Sequence, residues 1–174
     1  MRDPLRIWGL GSEHGDDRIG WAVTDSLAED PDCRRWTRTA RTPWDLLLDD
    51  PWPRRMIVVD AAELGRAAGS IVETSLGGDA GMSTPANDQA THDSSATSLM
   101  LRASRGSSHG AGLGEILQLA RRLGRSVEEL VLLLVEVKQC DPGTGLSDPA
   151  RIAVPRVVRR VRELAVEWTR HDIR

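Results

Sequence analysis

Apolar residues in this chain fall into short dense blocks separated by stretches that are apolar on one face only. LRIWGLG (Leu5 to Gly11) closes in glycines and a polar loop, the pattern of a buried strand running into a turn. DRIGWAVTDSL sets Ile19, Val23 and Leu27 at helical spacing and predicts a helix from about Arg18 to Ala28. RRWTRT (Arg34 to Thr39) reads as a short, poorly buried strand. TPWDLLLDD, with Pro43 at a first helical position, reads as a short helix. MIVVDAA (Met56 to Ala62) is the clearest strand, β-branched and apolar on both faces, as a strand covered on two sides must be. GSIVETSL (Gly69 to Leu76) reads as another.

Further on, Ser107 or Ser108 caps a predicted helix that carries Leu113, Ile116, Leu117 and Ala120 on one face and stops at Gly124. LVLLLVEV (Leu130 to Val137) is a second fully apolar strand. The closing helix places Val154, Val158, Val161, Ala165 and Trp168 on one face, with Arg156, Arg159, Arg160 and Arg162 mostly outside it. Strand and helix alternate, so the expected fold is α/β: an open, largely parallel sheet with helices on both faces. No internal repeat and no second domain are evident, and residues 1–174 read as one unit. The stretch from Gly77 to Gly106, rich in Gly, Ser, Thr, Ala, Asp and Asn, reads as a flexible insertion.

Composition narrows the class. At 174 residues, 40% hydrophobic and 28% charged, the chain can bury a core and has no apolar run near the roughly 20 residues of a membrane span. The start, MRDPLRIWGLG, lacks the layout of a secretory signal, and Cys33 and Cys140 suggest neither a disulfide framework nor a CxxC metal site. A cytoplasmic protein with reduced thiols is the expectation. A net charge of −3 argues against general nucleic-acid binding.

Ligands in open α/β sheets bind beyond the carboxyl ends of the strands. That rule selects Asp16 and Asp17 after the first strand, Asp60 at the end of the second apolar strand, Glu136 near the end of the third, and His109 before a helix. Two carboxylates and an imidazole suit a divalent transition metal with open positions, which can polarise a peptide carbonyl and acidify a bound water. Other readings stand beside this one. An aspartate before a helix serves equally as an N-cap, so either of Asp16 and Asp17 is a candidate for that role. His109 alone reads as a capping or surface residue. A carboxylate on an apolar strand is costly unless partnered, which singles out Asp60. GLGSEHG lacks both the GxGxxG spacing and the Walker lysine, and no GxSxG elbow occurs.

Four blocks in order resemble the hydrogenase-maturation peptidases: GLGSEHGDDRIGWAVTDSL, MIVVDAA, GSSHGAGLGEIL and VEVKQCDPGTGLSDPARIAVPRVVRRV. The resemblance implies a three-layer α/β/α sandwich on a mostly parallel five-stranded sheet, with one strand antiparallel. It implies that Asp17, Asp60 and His109 are the metal-contacting and catalytic positions. The implied activity is removal of a C-terminal extension from the nickel-loaded precursor of a hydrogenase large subunit. The nickel would belong to that immature subunit, the partner, with no metal tightly bound at rest. The same residues would equally serve a non-catalytic checkpoint or chaperone that binds the immature subunit. Ser12 stands where the family usually has Asn, and Thr37 to Thr42 (TRTART) occupies the place of its Asp-Gly-Gly-Thr segment.

Overall fold

The computed structural model describes residues 5–77 and 112–171. Five strands form one sheet: β1 (Leu5–Leu10), β2 (Thr37–Ala40), β3 (Arg55–Ala62), β4 (Ile71–Gly77) and β5 (Glu129–Glu136). Among the described residues, three α-helices flank it: α1 (Ile19–Ala28), α2 (Leu113–Arg122) and α3 (Asp148–His171). Single 3-10 turns span Gly15–Arg18 and Pro43–Leu48. The sheet order is β2-β1-β3-β5-β4, and every neighbouring pair is parallel except β4 with β5. This is the mostly parallel five-stranded sheet that was expected, with one antiparallel strand at its edge.

Alternation along each strand builds two cores. Leu5 and Ile7 of β1, Ile57 and Val59 of β3, and Val131, Leu133 and Val135 of β5 pack against Ile19, Val23 and Leu27 of α1 and against Ala153, Val157, Val161 and Trp168 of α3. The intervening residues Trp8, Met56, Val58, Leu130, Leu132 and Leu134 meet Leu46 of the 3-10 turn and Leu113, Leu117 and Ala120 of α2. Each fully buried Leu or Ile removes side-chain surface worth roughly 2 kcal/mol from water. That is why the three central strands are apolar throughout.

Two glycines let α1 lie directly on β1. A Cβ at Gly20 would sit 2.0 Å from the Leu10 carbonyl oxygen, and one at Gly9 would sit 2.2 Å from the Gly20 carbonyl oxygen. This close approach fixes where the helix starts relative to the end of the strand.

Local departures from expectation have local causes. The chain bends through Arg34–Trp36, so β2 starts only at Thr37, where it pairs with Ile7. TPWDLLLDD forms the expected short helix, of 3-10 type and opening at Pro43; Asp45 accepts from the Arg41 and Thr42 N–H groups, and the helix unwinds at Asp49. On α3 the buried stripe includes Ala153, Val157 and Leu164, and Val154 is only half-buried. Gly77 belongs to β4, while the rest of the anticipated insertion, the Ser107/Ser108 cap and His109 lie outside the described residues.

Candidate active site

The sheet order carries a consequence for chemistry. From β1 the chain moves outward to β2 through α1 on one face, then returns past β1 to β3 by way of the 3-10 turn on the other face. The two connections diverge between β1 and β3, and such a switch point opens a crevice at the carboxyl ends of the strands. Asp17 follows β1, and Asp60, expected to close β3, lies two residues before its end at Ala62. Both therefore border this crevice.

The loop after β1 is folded tightly by its glycines. Gly11 has φ of 149°, and a Cβ there would lie 2.0 Å from the Asp17 carbonyl oxygen, which accepts the Ser12 N–H at 3.3 Å. Gly15 has φ of 53° and fits against Gln139 and Cys140, where a Cβ would lie 2.6 Å from the Gln139 carbonyl oxygen. Its N–H donates to the Thr144 carbonyl at 2.9 Å. The left-handed conformation and the close approach each require glycine.

Asp16 and Asp17, adjacent and chemically identical, separate into different roles. Asp16 is buried, and its carboxylate accepts the N–H groups of Lys138 (2.7 Å), Gln139 (3.2 Å) and Ser147 (2.7 Å) as well as the Ser147 hydroxyl (2.8 Å). It binds the β5–α3 loop to the β1 loop and fixes the start of α3. Neither aspartate caps the helix that follows with its side chain. Asp17, half-buried, is the one left to the crevice.

Asp60 has the parity of Met56, Val58 and Ala62, so it stands on the α2 face of β3. One oxygen accepts the Ala61 N–H at 2.8 Å. Loss of hydration pushes its carboxyl up to about 8; the charge of Asp17 adds to this and the Ala61 N–H opposes it. Asp60 keeps a small solvent-accessible face, so it is enclosed by protein yet reachable from the rim. A buried carboxyl beside a second acidic residue is disfavoured in its charged form, which is the chemistry a cation would offset.

Glu136 is committed elsewhere. Buried at the end of β5, it accepts the N–H groups of Leu64 (2.8 Å) and Arg66 (3.1 Å), which ties down the loop between β3 and β4. Cys140 lies beside Asp17; partial burial and the Asp17 charge raise its thiol, so it is a poor nucleophile. Among the described residues no three His, Cys, Asp or Glu side chains are gathered closely enough to hold a metal ion. The structure thus brings Asp17 and Asp60 together and gives Asp16 and Glu136 structural work. His109 lies outside the described residues. The role of Asp16 was missed because its partners, Lys138 to Ser147, are more than 120 residues away, and no local signal marks them.

No protein-family model matches this chain, and no curated protein matches it either. Solved structures do. The hydrogenase maturating endopeptidase HybD from E. coli superposes with a TM-score of 0.69 at 19% identity, covering 96% of this chain and 93% of its own. The [NiFe] hydrogenase maturation protease HybD from Thermococcus kodakarensis gives 0.61 at 20% identity, over 95% and 99% of the two chains. HycI, a [NiFe] hydrogenase maturation protease from the same organism, gives 0.62 at 16% identity, over 94% and 93%. The chain therefore has the fold of the hydrogenase maturation endopeptidases across nearly its whole length.

Proposed function

We propose that this protein is an endopeptidase acting in the cytoplasm, one that removes the C-terminal extension of a nickel-loaded hydrogenase large-subunit precursor. One observation carries the reading: Asp17 and Asp60 border the β1/β3 switch point of this fold, where burial and the charge of Asp17 push the Asp60 carboxyl up. The substrate brings a cation. When a divalent ion meets the rim, Asp60 gives up its proton and joins Asp17 as an oxygen ligand. His109 supplies the imidazole that completes the set. Nickel held there fixes the precursor tail against the rim, so only a correctly loaded subunit is presented for cleavage. Hydrolysis then requires water to add to the scissile carbonyl, which the ion polarises, and the water's proton to pass to the leaving amine as the C–N bond breaks.

The fold shared with the HybD and HycI endopeptidases supports this assignment. Among the described residues no helix is long and apolar enough to cross a membrane, as suits a partner met in solution. The test is to mix the purified protein with the nickel-loaded precursor and follow the precursor by mass. Loss of a short C-terminal peptide is expected, dependent on nickel and reduced at least about 10³-fold in Asp60→Asn and His109→Ala. Nickel-dependent binding with no mass change would instead favour a checkpoint protein, and neither binding nor cleavage would sink both readings.

A further inference from the structure

The crevice has one acidic wall and, one strand away, a cation. Leu10 of β1 pairs with Ala40 of β2, so Arg41 emerges at the same carboxyl rim as the loop that carries Asp17. Its guanidinium lies over the Trp21 ring, 5.0 Å from the centroid. The Trp21 indole N–H donates to the Ala40 carbonyl at 2.9 Å, which fixes the ring and the strand end together. The Arg41 and Thr42 N–H groups are held by Asp45 at 2.7 and 3.0 Å. Arg41 is exposed, and among the described residues no carboxylate pairs with its guanidinium. An exposed arginine would ordinarily sweep a large volume. Here both its backbone and its guanidinium are placed.

The distance to the acidic wall follows from helical geometry. Asp17 and Trp21 are four residues apart along the path from the 3-10 turn into α1. Across that path the backbone rises about 1.5–2 Å per residue, which sets the two Cα atoms roughly 6–8 Å apart along the axis. Adding the 5.0 Å from ring to guanidinium puts the cation within roughly 10–15 Å of Asp17. An extended peptide advances about 3.3 Å per residue, so the gap corresponds to roughly three to five residues of substrate. A guanidinium stacked on an indole keeps its N–H edge free for bidentate capture of a carboxylate.

We propose that Arg41, seated over Trp21, is a specificity-determining residue that receives a carboxylate of the substrate chain three to five residues from the cleaved bond. This rests on the peptidase reading. It explains how a rim that repels anions at its centre still accepts an acidic or C-terminal segment at its edge. The carboxylate is either an acidic side chain near the cut or the free terminus of the extension.

Initial rates on nickel-loaded precursor separate these. Arg41→Gln is expected to raise KM about fivefold with a far smaller change in kcat, Arg41→Glu to raise it further, and Arg41→Lys to restore part of the loss. Arg38→Gln is the control, because the Arg38 guanidinium is used by the Arg35 and Thr37 carbonyls, and it keeps the wild-type KM. Changing acidic side chains near the cut to amides, or lengthening the extension with Gly-Ser residues, raises the wild-type KM in one of the two cases and adds nothing to Arg41→Gln. The case that does so names the source of the carboxylate. A wild-type KM in a folded Arg41→Glu, a loss confined to kcat, or no coupling to either substrate change would overturn the proposal. If the wild-type protein leaves every precursor uncut, the peptidase reading itself fails and takes this one with it.

Discussion

The two rims of the sheet handle buried charge in opposite ways. At the amino ends of the strands, Arg6 of β1 is 1% exposed and its Nε donates to Asp49 at 2.5 Å. Nearby, Arg54 holds Glu128 through two bonds of 2.9 Å, Arg55 reaches Glu129 at 3.7 Å, and Arg125 donates to the Leu47 carbonyl at 2.7 Å. Carboxylates on this rim meet guanidinium groups. At the carboxyl ends, Asp60 meets the like charge of Asp17 and a single N–H. Among the described residues, the amino rim pairs these charges within the protein. At the carboxyl rim the Asp60 carboxyl is instead disfavoured in its charged form by burial and by Asp17. On the proposed function, pairing at one rim serves stability, and the lack of it at the other serves cation recognition.

The largest effect expected from this contrast lies on the amino rim. Arg6→Met keeps the apolar stem against Trp8's face of β1 but strands the Asp49 carboxylate, whose side chain is 8% exposed. Breaking a buried pair from one side costs about 3–5 kcal/mol. Urea unfolding should show that loss as a lower midpoint at unchanged slope. Cleavage per folded molecule should stay at the wild-type rate, since no rim carboxylate is touched. A stable Arg6→Met variant with impaired cleavage would reverse the assignment of the two rims.

How much of this contrast could be read from sequence differs by residue. LRIWGL, MIVVDAA and LVLLLVE announce central strands because both of their faces must be apolar. β2 is harder to see, since of TRTA only Ala40 is buried. Asp60 and Glu136 send the same signal, a carboxylate on an otherwise apolar strand. Yet Glu136 accepts the Leu64 and Arg66 N–H groups of a folded loop, while Asp60 meets the charge of Asp17. Likewise nothing local separates Asp16 from Asp17; the β5–α3 loop decides which of them is consumed. Sequence patterns locate the rim well. Which carboxylates remain available depends on backbone donors brought in by the tertiary fold.

An intermediate effect tests the carboxyl rim through its titration. The folded-state pKa of Asp60, about 8, is raised above the unfolded carboxylate's ordinary value near 4. Between those limits the folded protein binds more protons than the unfolded chain, so stability falls as pH rises and levels off above the folded value. Each pH unit inside the window corresponds to at most about 1.4 kcal/mol, or roughly 3–6 °C in Tm at this chain length. Thermal unfolding from pH 5 to 9 should therefore slope downward in the wild type and less so in Asp60→Asn. Equal slopes in the two proteins would mean that Asp60 is not the group storing the cost.

The smallest effect sharpens the comparison, because it asks whether pairing alone or burial with pairing makes the amino rim stable. Arg54 and Glu128 have ideal two-bond geometry, but their side chains are 44% and 55% exposed. Water screens such a pair, and ordering two long side chains offsets much of the attraction, so Arg54→Gln should cost under about 1 kcal/mol. That is a shift of at most ~4 °C in Tm, shrinking further in high salt because exposed charges are screened over about 10 Å at 0.1 M. If Arg54→Gln instead costs as much as Arg6→Met, then the visible salt bridges act as one network. The amino rim would then owe its stability to collective charge pairing, and the buried Arg6–Asp49 pair would lose its special place.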